Sequence, residues 1–221
     1  MTAGGGAIFA FVHKSATRPP REILSHPELQ VLEPLTTPRR VQDFLDTIPI
    51  NHERRGETCS SPLVTLRRRS AHCMEGALLA ALALWMHGHP PLIMDLKTTD
   101  DDVDHLVALF RLNGYWGGIT KTNHAVLRYR EPMFRDLREL AASYFHEYSL
   151  PDGRKTLRAY SKPFDLRTVP GDWITTETPL WALERRIDRS PHLRLLNRRQ
   201  IAGLRRADPI EIRAGKLTEW R

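Results

Sequence analysis

Thirteen consecutive residues, Met74 to Met86, read "MEGALLAALALWM". At helical spacing Ala77, Ala80 and Leu84 fall on one side and Leu78, Leu79, Leu82 and Trp85 on the other, so a helix here is apolar all round and must be buried. Its unbroken apolar part, Ala77 to Met86, is far short of the about 20 residues that cross a bilayer. His87, Gly88 and the Pro90-Pro91 pair stop it. The pattern predicts a central helix from about Ser70 to Met86, and Gly76 would admit another backbone layer at close range.

Such a helix needs layers to cover it, and a chain of 221 residues with 41% hydrophobic and 27% charged content can supply them. The expected organisation is an N-terminal arm over 1–35, a core over 36–170 and a helical extension over 171–221 packed on the core. Only Cys59 and Cys73 are present, too few for a disulfide scaffold, though one bond between them stays open. The start, "MTAGGGAIFAFVHKSATRPP", offers only the short apolar patch Ala7 to Val12 and makes a poor secretory signal. A cytoplasmic, reducing location with no membrane association is the expectation.

Net charge is +7, with arginines concentrated at Arg67 to Arg69 and through the last third at Arg185, Arg186, Arg189, Arg194, Arg198, Arg199, Arg205 and Arg206. No zinc finger, glycine-rich phosphate loop or aromatic nucleic-acid motif accompanies them. They read as a solvated surface or a face for an acidic protein partner, and nucleic acid is not expected.

Around the central helix, "TTPRRVQDFLDTI" predicts a first helix capped by Thr37, and "NHERRGETCSSPLV" a polar surface crossing. "PLIMDL" and "HLVALFRL" read as strands flanking an acidic loop. Asn113-Gly114 marks a hairpin that returns through "YWGGIT", and "HAVLRYR" alternates like a third extended piece. "MFRDLRELAASYFHEY" looks helical, "KTLRAYSKPFDL" like an edge strand, and late helices are expected from Thr178-Pro179 to Ile187 and from Leu195 to Leu204. Trp85, Phe110, Tyr115, Trp116, Tyr144 and Phe145 read as core-building aromatics.

Cys73 enters the central helix at its first turn. Unpaired N–H groups and the helix dipole favour negative charge there, which lowers a thiol pKa. The same position beside Gly76 and Ala77 also suits a small core residue. His105 opens a strand directly after the acidic loop, where it could act as general base for a thiol or simply end a turn. His72, Cys73, His87, His89 and His105 include enough ligand types for zinc. However, positions 73 and 87 would be separated by roughly 20 Å of helix, so neither a metal nor a cofactor is expected.

In order, a Cys opening a buried helix ("AHCMEGA"), a strand, an acidic loop, a His opening a hairpin strand ("DHLVALF") and a Trp on its return ("GYWGG") resemble the transglutaminase-like superfamily, a papain-like branch of Cys-His-Asp/Asn enzymes. The likeness covers about residues 38–130. It implies an α+β fold with a central helix on an antiparallel sheet, a Cys73 nucleophile, a His105 base, and a third residue on the next strand that orients the imidazole. That segment, "YWGGITKTNH", has no Asp. Asn123 is the expected substitute, with His124 and Asp95 as further candidates and turn formation as the competing role for Asn123. The Cys73 N–H would supply part of an oxyanion hole, with Thr58 to Ser61 and His72 as conjectured neighbours. The implied activity is attack on an amide or ester carbonyl of a peptide or small molecule through a Cys73 thioester; the competing expectation is a nonenzymatic interaction protein on the same scaffold.

Overall fold

The computed structural model describes Arg18, Pro19, residues 24–169 and residues 172–220. The expectations for the apolar patch and most of the N-terminal arm lie outside these residues. The part of the arm that is described packs inward as a 3-10 turn, Pro27–Leu32, whose Leu29 and Leu32 are fully buried.

α1 (Pro38–Asp46) starts as predicted, with the Thr37 hydroxyl accepting the Arg40 N–H and Pro38 in the first turn. α2 (Pro62–Arg68) occupies what the sequence suggested was surface crossing. Ser61 caps it, Leu63 and Val64 are buried, and Arg69 closes it in a left-handed conformation (φ 53°). α3 (Cys73–Met86) is the central helix, and every residue from Met74 to Met86 is buried. Trp85 at its far end stacks on Trp173 at 6.4 Å.

The antiparallel sheet runs β4-β3-β2-β1-β5-β7, with β6 also pairing β1. β1 (Leu92–Lys97), β2 (His105–Leu112) and β3 (Tyr115–Ile119) follow the predicted hairpin, and Asn113 and Gly114 take the positive φ values its turn needs. Pleating divides their side chains between two cores. Ile93, Ala108, Phe110 and Ile119 face α1, α2 and α3. Met94, Leu96, Val107 and Leu109 face α4 (Leu137–Ser143), Tyr148, Leu157 and Leu195. The molecule is therefore an α+β protein with its sheet covered on both faces.

Four boundaries differ from expectation. Residues 124–129 are not a strand: Leu127 has φ 60°, its N–H goes to Glu147, and pairing resumes only at β4 (Arg130–Phe134). β4 takes the start of the helix predicted from Met133, leaving α4 and a 3-10 turn, Phe145–Glu147. β5 (Ala159–Ser161) and β6 (Phe164–Asp165) divide the expected edge strand around Pro163. The C-terminal segment is not purely helical, because β7 (His192–Arg194) joins the sheet beside β5. It also carries α5 (Trp181–Asp188), α6 (Arg198–Ala202) and α7 (Pro209–Gly215), so the helix expected over Leu195 to Leu204 is shorter. Of the aromatics expected in the core, Tyr115 is instead 45% exposed at the hairpin turn.

No helix of the described residues is long and apolar enough to cross a membrane.

Candidate active site

The entry to α3 is built by a reciprocal cap. His72 Nδ1 accepts the Met74 N–H at 3.2 Å, and the buried Glu75 carboxylate accepts the His72 N–H at 3.2 Å. Glu75 also accepts from the Thr58 hydroxyl, the Ser60 N–H and the Asn51 amide. Burial would raise its pKa; attraction to His72 and these three donors hold it below the ordinary carboxylate value. One buried carboxylate thus ties the 51–60 segment down over the helix entry, close to where the sequence suggested that Thr58 to Ser61 fold back.

Cys73 follows this cap as the first residue of α3. Burial alone would push its thiol up. Hydrogen bonding to the His105 side chain, then to His72, and attraction to both rings outweigh that and bring it down to about 5. The ring of His105 is itself buried, and its Nε2 has no hydrogen-bond partner among the described residues. His72 moves oppositely. Burial lowers it, but its hydrogen bond to Cys73, attraction to Glu75 and Cys73, and the Thr58 carbonyl 2.9 Å from its Nε2 raise it to about 9. A charged His72 ring would favour the thiolate, but the Met74 N–H bond needs a neutral Nδ1, so protonating His72 gives up that bond. The signal for His72 was the "HCME" spacing, which puts a carboxylate at the capping position three residues on.

Two cavities meet Cys73. One, of about 580 Å³, lies toward α5 and is lined by Glu53, Glu57, Asp95, Asp104, Glu184 and Asp188 as well as His72 and Cys73. The other, of about 510 Å³, lies toward the second core and is shared by Cys73, His105, Thr122 and Tyr148. A chain of net charge +7 thus surrounds one side of its thiol with carboxylates. Cys59, the other cysteine, is a free buried thiol that burial pushes up to about 12, which suits core filling.

The expected third residue, Asn123, lines the cavity of about 510 Å³ together with Cys73 and His105. Both polar atoms of the Asn123 amide are engaged by Trp220: Nδ2 donates to its carbonyl at 2.9 Å and Oδ1 accepts its N–H at 2.8 Å. His124 is held through Nδ1 at the Gly215 carbonyl, 2.8 Å away. Asp95 faces His192 Nε2 at 3.0 Å, while burial and nearby Asp104 raise its carboxyl to about 6. Continuing the β2–β3 register past Ala108↔Ile119 brings Thr120 and Thr122 to the His105 end, but the Thr120 hydroxyl donates to the Leu127 carbonyl at 2.6 Å. Trp116 sits toward the hairpin turn beneath Arg111, 5.5 Å from the guanidinium carbon, and lines neither cavity.

Among the described residues, Asp95, Asp104 and Asp188 bring carboxylate oxygens within 4.8 Å of one another, close enough to share a cation. The Lys97 ammonium already bonds Asp104 at 2.5 Å and also bonds Asp188. One internal cation thus already bridges two of the three carboxylates. His87, at the far end of α3, meets the Leu32 carbonyl through Nε2 at 3.2 Å.

Compared with known proteins, the chain matches no family model and no curated relative.

Proposed function

We propose that this protein is a thiol-dependent acyl hydrolase or acyltransferase on a transglutaminase-like or papain-like scaffold, with Cys73 as nucleophile and His105 as its proton carrier. What supports the reading is a thiol at the N-terminus of a buried helix that lines two cavities and that the nearby His105 and His72 side chains bring down to about 5. A structural cysteine buried in apolar surroundings moves the other way, as Cys59 does.

In the first half-reaction the Cys73 thiolate attacks an amide or ester carbonyl, forming the C–S bond as the carbonyl π pair moves to oxygen. Collapse re-forms the carbonyl and expels the amine or alcohol, which takes its proton from His105. The thioester is then opened by water or by an amine whose proton returns through His105. With the Asn123 amide engaged by Trp220, the pair acts as a dyad. His72 adds positive charge beside the sulfur.

Alkylation of Cys73 by iodoacetamide across pH tests the reading. Wild type should react with a midpoint near 5. Cys73→Ala should lose the label, and His105→Ala should raise the midpoint by a unit or more, about tenfold in the thiolate equilibrium per unit. A wild-type midpoint near ~8.5 that His105→Ala leaves in place would sink the proposal. The result would then favour the second reading, an interaction protein on this scaffold, which the missing partner at His105 Nε2 already favours.

A further inference from the structure

Tyr148 follows the turn Phe145–Glu147 and packs in the second core, 4% exposed, in one apolar cluster with Val107, Leu109 and Leu157. Its ring needs no explanation beyond packing, and its backbone is satisfied: the N–H donates to the Phe145 carbonyl and the carbonyl accepts the Thr156 N–H. Its hydroxyl is different. The oxygen is buried with no hydrogen-bond partner among the described residues, and folded proteins seldom keep such a group without a use for it.

The place of this hydroxyl narrows the use. Tyr148 lines the same cavity of about 510 Å³ as Cys73 and His105. By pleat, His105 shares the parity of Val107 and Leu109, so it belongs to the sheet face that Tyr148 covers. Its Nε2 is likewise buried and without a hydrogen-bond partner among the described residues. Burial first, and then the neighbouring Cys73 charge, hold the phenol well above its ordinary range, so it remains a donor at any working pH. A carbonyl oxygen seated there would give the hydroxyl the acceptor that the protein itself does not.

We infer that the Tyr148 hydroxyl is an oxyanion donor: it hydrogen-bonds the oxygen of the carbonyl that Cys73 attacks, supplementing the Cys73 N–H. This rests on the thiol acyl-transfer reading above. As the C–S bond forms and the carbonyl π pair moves to oxygen, Tyr148 donates a hydrogen bond and keeps its proton. When the leaving group departs, the charge returns to the carbonyl and the bond weakens.

The test compares two reactions of the full chain at one sulfur. Acylation by p-nitrophenyl acetate passes through an oxyanion; alkylation by iodoacetamide does not. Tyr148→Phe should slow Cys73 acylation about 10²-fold and leave the alkylation rate and its pH midpoint as in wild type. Because the lost hydroxyl has no partner, the variant should melt no lower than wild type. Unchanged acylation would overturn the inference, as would a lowered melting temperature, which would show that the hydroxyl has a structural bond. Both reactions slowed together with a displaced midpoint would overturn it too, making Tyr148 a residue that positions His105. If wild-type Cys73 alkylates as an ordinary thiol, the nucleophile reading fails first and takes this inference with it. A normal dyad with indifferent Tyr148→Phe fails the inference alone.

Discussion

At position 73 three influences compete, and their signs determine the pH behaviour. Burial disfavours the thiolate; the His105 and His72 side chains favour it and win, so the folded thiol ionises near 5, against ~8.5 in an unfolded chain. A depressed acid contributes stability that is full above its unfolded pKa and is lost as pH falls through about 5. His72, raised to about 9, contributes stability that is full below its unfolded value and lost as pH rises through about 9. The ion pair therefore belongs to the window between about 5 and about 9. Replacing His72 by Asn keeps a residue able to cap α3 and removes the ring. The midpoint of Cys73 alkylation should then rise by about one unit or more, equivalent to ~1.4 kcal/mol. A midpoint that stays near 5 would assign the whole shift to His105.

Among elements, the contact that sets the spacing of the site is between α3 and the segment after β3. A Cβ built on Gly76 would stand 2.2 Å from Lys121 Cβ and 2.9 Å from its Cγ. The close approach anticipated at Gly76 therefore admits Lys121. The Lys121 ammonium donates to the Leu45 and Ile48 carbonyls, at 3.0 Å for Leu45, where α1 ends, as cations do at helix C-termini. In an open helix Gly→Ala would gain about 1 kcal/mol. Here the contact lies near the Lys121 backbone and cannot relax by swinging a side-chain tip. Gly76→Ala should therefore lower stability by about 1–3 kcal/mol, read as a shift in the urea midpoint. A stabilised variant would mean that α3 and Lys121 can separate without cost.

The same contrast explains what could be read from sequence. α3, its Cys73 entry and the β2–β3 hairpin were legible because apolar periodicity, local capping and Asn-Gly act over a few residues. α2 and β7 were not, since α2 is seven residues long and β7 three. Their stability comes from burial of Leu63 and Val64 in the core and from pairing with β5. "HAVLRYR" had the alternation of a strand, but its backbone groups go elsewhere: the Ala125 N–H to the Leu217 carbonyl, the Leu127 N–H to Glu147. Tertiary partners overrode local pattern at both places.

Across the whole molecule, the end of the described chain closes back on the segment beside the site. His124 bridges to Thr218, the Ala125 N–H reaches the Leu217 carbonyl, the Glu219 N–H reaches the Asn123 carbonyl, and Arg128 pairs with Glu219 at 3.0 Å. Asn123 is the centre of this closure, with its amide laid along Trp220 in a two-point bond. The papain-like resemblance made it the candidate to orient His105; the tail that bonds its amide lies 97 residues further along, beyond any local signal. These two roles predict different consequences for Asn123→Ala. As a tail clasp, its loss removes two hydrogen bonds of about 1 kcal/mol each, so limited proteolysis should release the segment after Gly215 sooner. The rate and pH midpoint of Cys73 alkylation should match wild type, because neither His72 nor His105 loses a partner. An upward shift in that midpoint with the tail still protected would return Asn123 to the imidazole and require the tail contact to be secondary.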